Sequence, residues 1–208
     1  HFPFWAGILA AIVEQKGGNV GILDLNALRM KYGTSTISNE EIEKELRSDD
    51  WDIVGIGGLT STYGRIKELV PLIRKFSPNS KIVSGGGWST YNPDEIFQLV
   101  PDLDMIVIGE GEETFSEIYD VVENGSNDFD GVNGICINKK EQTHFTAPRA
   151  LIPDLNTIPL PAYDLFETEI YFQYSSIPLS VEAFNCKRRA SVVWERGCPR
   201  GCTFCSHN

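Results

Sequence analysis

The chain has 208 residues, of which 41% are hydrophobic and 23% charged, and its formal net charge is −11. That mixture can bury the core of one domain plus some extra, or of two small ones. The acidic field repels a phosphate backbone, so nucleic acid is not an expected general partner, and no apolar run is long enough to span a bilayer.

The opening "HFPFWAGILAAIVEQKGG" is apolar but lacks the basic start and small-residue cleavage site of a signal peptide. It predicts a buried helix closed by Gly17. Short Val/Ile-rich runs follow at residues 19–26, 52–60, 81–87 and 105–112, each leaving into a turn of small or acidic residues. Near-continuous hydrophobicity marks parallel strands buried on both faces, and the strands are expected to include 20–25, 53–57, 81–84 and 105–108. Helical stretches lie between them. "SNEEIEKELRSDD" carries a capping box from Ser38 to Glu41. "YGRIKELVPLIRKF" places Ile66, Leu69, Val70 and Ile73 on one face, with Pro71 as a candidate kink. "NPDEIFQLV" opens with Asn92 as N-cap and Pro93 at the first helical position, and "EETFSEIYDVVENG" closes at Gly125.

Repeated βα units predict an α/β fold with a doubly wound parallel sheet. After Gly125, "GVNGICINKKEQTHFTAPRA" predicts a hairpin turning at Lys139, Lys140 and Glu141. "IPDLNTIPLPAYDLF" predicts an extended linker, because Pro forbids helix. "SVVWERG" predicts a strand leading into the cysteines. The expected division is residues 1–125, the α/β domain; 126–165, hairpin and linker; and 166–208, the start of a further domain.

In doubly wound sheets, ligands sit beyond the carboxyl ends of the strands. There the chain places Gly58, Leu59, Thr60, Ser61 and Thr62; then Gly85, Gly86 and Gly87; then Gly109, Glu110, Gly111 and Glu112. Any one glycine-rich turn says little, since βα loops favour glycine. Three on one rim point to a binding cleft where a large ligand approaches the backbone. No GxGxxG opens a helix, so the dinucleotide fingerprint is missing.

Cys198, Cys202 and Cys205 fall within eight residues, in "RGCPRGCTFC". The five cysteines are odd in number, so this spacing suggests metal in a reducing compartment, the cytoplasm, rather than a disulfide framework. One reading is zinc with His207 as a fourth ligand, although His207 follows Cys205 closely. A second is buried structural thiols. A third is a [4Fe–4S] cluster on three thiolates, which leaves one iron open to a substrate or cofactor. Gly197 and Gly201 would let the loop wrap the cluster, and Pro199 stiffens it.

The Cys-x3-Cys-x2-Cys spacing with Phe204 before the last cysteine resembles the cluster loop of the radical S-adenosylmethionine (SAM) superfamily. "GLTSTYGRIKELVPLIRKFSPNSKIVSGGGWSTYNPDE", "MIVIGEGEETF" and "LNTIPLPAYDLF" resemble, in order, the cobalamin-binding domain that precedes the radical SAM barrel in the cobalamin-dependent subgroup. The resemblance implies a flavodoxin-like cobalamin-binding fold. It implies a [4Fe–4S] cluster on Cys198, Cys202 and Cys205, whose open iron binds SAM, with Phe204 near the adenine. It implies reductive cleavage of SAM to a 5′-deoxyadenosyl radical, and cobalamin that carries a methyl group or assists cyclisation at an unactivated carbon. It further implies a flavodoxin or ferredoxin as electron donor, and a small-molecule substrate held in the barrel. On this reading residues 166–208 begin that barrel. The family's first strand is expected before residue 1 and the rest of the barrel after the cysteines, so this chain alone is expected to be inactive.

One departure matters. The wider cobalamin-binding fold carries Asp-x-His-x-x-Gly in an early loop, where the His ligates cobalt. Here the stretch is Asp24-Leu25-Asn26-Ala27-Leu28-Arg29. With no imidazole in that loop, cobalamin is expected base-off and His-off.

Of the other candidates, His144 is expected at the surface and Cys136 as a small buried hydrophobe. Cys186, Lys187, Arg188 and Arg189 read as a solvated basic turn. Glu112 suits a helix N-terminus better than an acid–base pair with Glu110. Two rival readings remain open: a non-catalytic cobalamin-binding module, and a flavodoxin-like domain with a zinc-binding tail.

Overall fold

Short apolar runs build one sheet from β1 (Ile53–Gly57), β2 (Lys81–Gly85), β3 (Met105–Val107), β4 (Ile135–Asn138) and β5 (Thr143–Phe145), in that spatial order. The structure is a computed structural model that describes residues 2–33, 39–140, 142–173, 185–188, 190, 192, 193, 195–198, 200, 202 and 203. β1, β2 and β3 are parallel; β4 and β5 are the expected hairpin, with β4 antiparallel to β3 and β5 antiparallel to β4. The register sets Gly57 beside Gly85, so the first two strands end together.

Helices cover both faces. Val54, Ile56, Ile82, Ile106 and Cys136 point toward α3 (Asn39–Leu46), α4 (Tyr63–Phe76) and α5 (Pro93–Leu99), which contribute Ile42, Leu46, Ile66, Val70, Ile96 and Phe97. The alternate residues Ile53, Val83, Met105, Val107 and Ile135 meet Ile118 and Val122 of α6 (Glu112–Glu123). α1 (Phe4–Gln15) packs against α6, and Gly17 ends it at φ +84°. The sheet is thus doubly wound, as the sequence pattern requires.

Several details differ from expectation. Residues 20–25 form no strand: 20–24 are irregular and Leu25 opens α2 (Leu25–Tyr32). Their alternation is real, since Val20 and Ile22 join the α1 side while Leu23 and Leu25 join the α3–α4 side. A ladder is lacking because, among the described residues, β1 pairs only with β2. Asp24 then accepts hydrogen bonds from the Asn26 and Ala27 amides at 3.1 and 3.0 Å, and so starts a helix instead. Pro71 lies exposed inside α4 without ending it. Asn92 occupies the N-cap of α5, but its side chain bonds Glu95 rather than a backbone amide. The capping box falls partly on Ser38, outside the described residues.

The Pro-rich stretch is not a free linker. It contains two 3₁₀ turns, Leu155–Thr157 and Tyr163–Leu165, and docks on α1: the Ala162 amide donates to the Gly7 carbonyl at 2.9 Å. A Cβ on Gly7 would come within 2.7 Å of Pro161, so only glycine permits this approach. α7 (Thr168–Gln173) follows. The described residues of "SVVWERG" carry no strand, and Val192 and Val193 are exposed, without the neighbour that a ladder needs. Among the described residues, no helix is long and apolar enough to cross a membrane.

Candidate functional site

Parallel pairing of β1, β2 and β3 brings their carboxyl ends to one edge, and with them the glycine turns. Thr60–Thr62 form a 3₁₀ turn that feeds α4, held by the Thr62 hydroxyl donating to the Leu59 carbonyl at 2.7 Å. Gly86 takes φ +86°, and a Cβ there would stand 3.2 Å from the Gly58 carbonyl oxygen. The first and second turns therefore touch backbone to backbone. The Thr90 hydroxyl lies 3.0 Å from the Gly86 carbonyl and 3.4 Å from that of Val107, which ties the second turn to the third strand. Gly87 and Gly109 face open space, Gly109 with φ +81°. Ser61 and Thr62 are exposed. Gly111 caps α6.

Two buried polar atoms lack hydrogen-bond partners among the described residues: the Tyr63 hydroxyl and the Trp88 indole N–H. Tyr63 directly follows the first turn and Trp88 the second, and their ring centroids lie 6.1 Å apart. An unsatisfied buried donor costs about 1–3 kcal/mol. Both rings belong to the core cluster on the α3–α5 face, whereas the open backbone at Gly87 and Gly109 fits a large ligand such as a corrin with its nucleotide tail. The residue type did not reveal Trp88 or Tyr63 as special; only their burial does.

Glu110 and Glu112 are both engaged. Glu110 accepts from the Ile152 amide at 2.6 Å, and Arg196 reaches it at 3.5 Å. Arg196 also bonds Glu112 at 2.6 Å, and that hydrogen bond raises the guanidinium pKa above its ordinary value. Glu112 is the first residue of α6, where its charge suits the helix dipole as expected. No acid–base pair is left free here. Arg196, two residues before Cys198, pairs with carboxylates so distant in sequence that no local pattern signals the contact.

The cysteine loop is described only in part. Cys198 is exposed and Cys202 half-buried, while Phe204, Cys205 and His207 lie outside the described residues. Gly197 takes φ +79°, a left-handed turn immediately before Cys198. Three thiols at this spacing are a donor set suited to an iron–sulfur cluster.

In the early loop, Tyr171 donates to Asp24 at 2.7 Å and the Asn26 amide lies 3.4 Å from the Tyr171 hydroxyl. Burial and the Asp24 contact raise the Tyr171 pKa. Cys136 is fully buried, which pushes its thiol up to about 12, as befits a core residue. His144 sits half-exposed, 3.5 Å from Asp130. Arg188 pairs with Glu169 and stacks on Phe172, a surface arrangement.

A sheet with helices on both faces and a glycine rim at its carboxyl edge defines an α/β domain of the kind that takes ligands at that edge. Residues 1–119 match the B12 binding domain, and the chain belongs to that family. It is 31% identical over 204 residues to the uncharacterized methyltransferase PH0819 of Pyrococcus horikoshii, covering 98% of this chain and 40% of that protein. It is 31% identical over 153 residues to the anaerobic magnesium-protoporphyrin IX monomethyl ester cyclase of Synechocystis sp., covering 74% of this chain and 28% of the cyclase. The fold is also that of the cobalamin-dependent SAM radical enzyme OxsB, solved with aqua-cobalamin and SAM bound. The TM-score is 0.64 at 21% identity, over 79% of this chain and 22% of OxsB. The chain thus spans less than half the length of these relatives. The expected kinship with cobalamin-dependent radical SAM methyltransferases and cyclases is borne out.

Proposed function

We propose that the chain is the cobalamin-binding part of a cobalamin- and [4Fe–4S]-dependent radical SAM enzyme that methylates or cyclises an unactivated carbon. The observation that carries this reading is the rim itself, where Gly86 lies on the Gly58 carbonyl while Gly87 and Gly109 face open space. Thr60, Ser61, Thr62, Gly85, Gly86, Gly87, Gly109, Glu110 and Gly111 form the cradle. Small residues leave the backbone open to a wide ligand, and the exposed hydroxyls of Ser61 and Thr62 are available to its polar tail. Glu110 shapes the rim, because its carboxylate already holds the Ile152 amide. Asn26 stands where a ligating histidine would, so cobalamin sits base-off and His-off.

Cys198, Cys202 and Cys205 hold the cluster in the longer protein, and Phe204 lies by the SAM adenine. When bound, the cluster supplies single-electron chemistry on SAM, and cobalamin supplies a methyl group or assists ring closure. A flavodoxin or ferredoxin delivers the electron, the small-molecule substrate binds in a barrel following the cysteines, and the enzyme works in the cytoplasm.

Parallel titrations with hydroxocobalamin and flavin mononucleotide, followed by visible absorption, test the reading. Saturable cobalamin binding with no flavin binding is the expected result. Tight flavin binding without cobalamin binding would overturn it. Anaerobic reconstitution of the longer protein with iron and sulfide tests the cysteines: Cys202→Ala should abolish the cluster absorption, and an unchanged spectrum would remove Cys202 as a ligand.

A further inference from the structure

Arg196 joins two regions far apart in the chain. It stands two residues before Cys198, yet its guanidinium bonds Glu112 at 2.6 Å and reaches Glu110 at 3.5 Å, both just beyond β3. The three side chains are 29%, 11% and 17% exposed. Among the described residues, Arg196 is the only cation within ion-pair distance of either carboxylate. Glu112 is nearly buried, and a carboxylate in that position demands a counter-charge. Most ion pairs of this protein are far more exposed; Arg188 and Glu169, for example, are 63% and 60% exposed.

The consequence is geometric. Gly197 follows Arg196 with φ +79°, so fixing Arg196 also fixes the direction in which the chain turns into Cys198. Glu110 simultaneously accepts the Ile152 amide. Two carboxylates at the end of one strand therefore gather a segment from the 150s and the approach to the cysteines onto the same rim.

We propose that Arg196 is a positioning residue, a charged latch that docks the cysteine loop on the glycine rim through Glu110 and Glu112. The role of the cysteines rests on the function proposed above; the latch itself does not. In this arrangement one forked contact registers the rim with the stretch that leads into Cys198.

Trypsin cleaves after arginine only when the side chain is free to enter the protease, so cleavage after Arg196 reports on the latch in the intact 208-residue chain. Its rate is read by mass spectrometry against cleavage after Lys140, in the exposed hairpin turn. Wild type is compared with Glu112→Gln and with Glu110→Gln/Glu112→Gln. The double variant should be cleaved after Arg196 on the order of tenfold faster, since proteolysis tracks the open population. Glu112→Gln alone should fall between the two.

Ionic strength supplies a readout that mere packing would not move. Salt should speed cleavage in wild type and have no effect in the double variant. Equal rates in all three proteins, or a salt effect that survives in the double variant, would overturn the latch. If the double variant fails to fold by circular dichroism, salt-independent cleavage of wild type overturns it on its own. A hydroxocobalamin titration of the same samples separates the two ideas. Loss of cobalamin binding in wild type removes the proposed function and leaves the latch, and unchanged cleavage removes the latch alone.

Discussion

Ile106 and Val193 belong to regions held in opposite ways. Ile106 of β3 is fully buried, packed on one face of the sheet with Phe97, Val100 and Cys136. Val193, in the approach to the cysteines, is 60% exposed, and Val192 is 76% exposed. Apolar area holds the sheet. Three residues on, Arg196 is held by charge, on Glu112. Burial is non-directional and tolerant of detail, whereas a forked ion pair fixes one position and one orientation. The scaffold is therefore robust, while the segment that carries the thiols depends on a few charges.

The largest expected effect tests that contrast directly. Ile106→Ala should cost about 2–5 kcal/mol, through lost burial and the cavity left behind. Val193→Ala should stay within about 0.5 kcal/mol. Urea unfolding followed by circular dichroism reads both, and similar costs would erase the distinction between the regions.

Next comes a charge that behaves like part of the core. Arg74 donates to the carbonyls of Pro78, Ser80 and Asp102 at 2.8–3.0 Å and pairs with Asp104 at 2.6 Å. Asp104 in turn accepts the Ile82 amide at 2.7 Å. Arg74→Ala should cost about 2 kcal/mol, because the partners lose charge-assisted hydrogen bonds in a half-buried site. A cost near zero would show that water replaces the fork.

A smaller effect concerns Cys136. Burial pushes its thiol up to about 12, so the native protein should protect it from iodoacetamide at pH 8 while Cys198 reacts. Cys136→Ser should cost about 1–2 kcal/mol, by placing a hydroxyl in an apolar site. Rapid native-state labelling at Cys136 would mean that the hairpin opens readily.

The smallest effect is electrostatic and exposed. The Lys139 hydrogen bond, with His144 nearby, holds the Asp130 carboxyl below its ordinary value. A depressed folded pKa contributes stability above the unfolded carboxylate value, about pH 4, and loses it as pH falls through the folded value. Lys139→Ala should therefore differ slightly from wild type at neutral pH and converge with it in acid. A gap that widens in acid would contradict the sign.

Much of the fold was legible because buried parallel strands write themselves as Val/Ile runs, and β1, β2, β3 and the hairpin fall where those runs lie. The rim was legible because three glycine turns follow three successive strands. Residues 20–25 misled for a physical reason: they have a strand's alternation, but strandedness also needs a neighbour's backbone, which composition does not encode. The docking of Pro161 and Ala162 on Gly7 was invisible because it depends on a single missing Cβ distant in sequence. The Arg196 pairing likewise links residues 84 apart, beyond any local pattern. Trp88 and Tyr63 pack with the core, and the sequence does not signal that their polar atoms lack partners among the described residues.

The central claim is that a corrin lies against the open backbone of the glycine rim. Gly87 offers the cleanest test, since it is exposed, has no left-handed φ, and faces nothing within 4 Å. Gly87→Leu fills that space without straining the chain. Hydroxocobalamin titration of wild type and Gly87→Leu should show binding weakened at least about tenfold, roughly 1.4 kcal/mol, with an unchanged melting temperature. Equal affinity in the two proteins would contradict the placement of cobalamin on this rim.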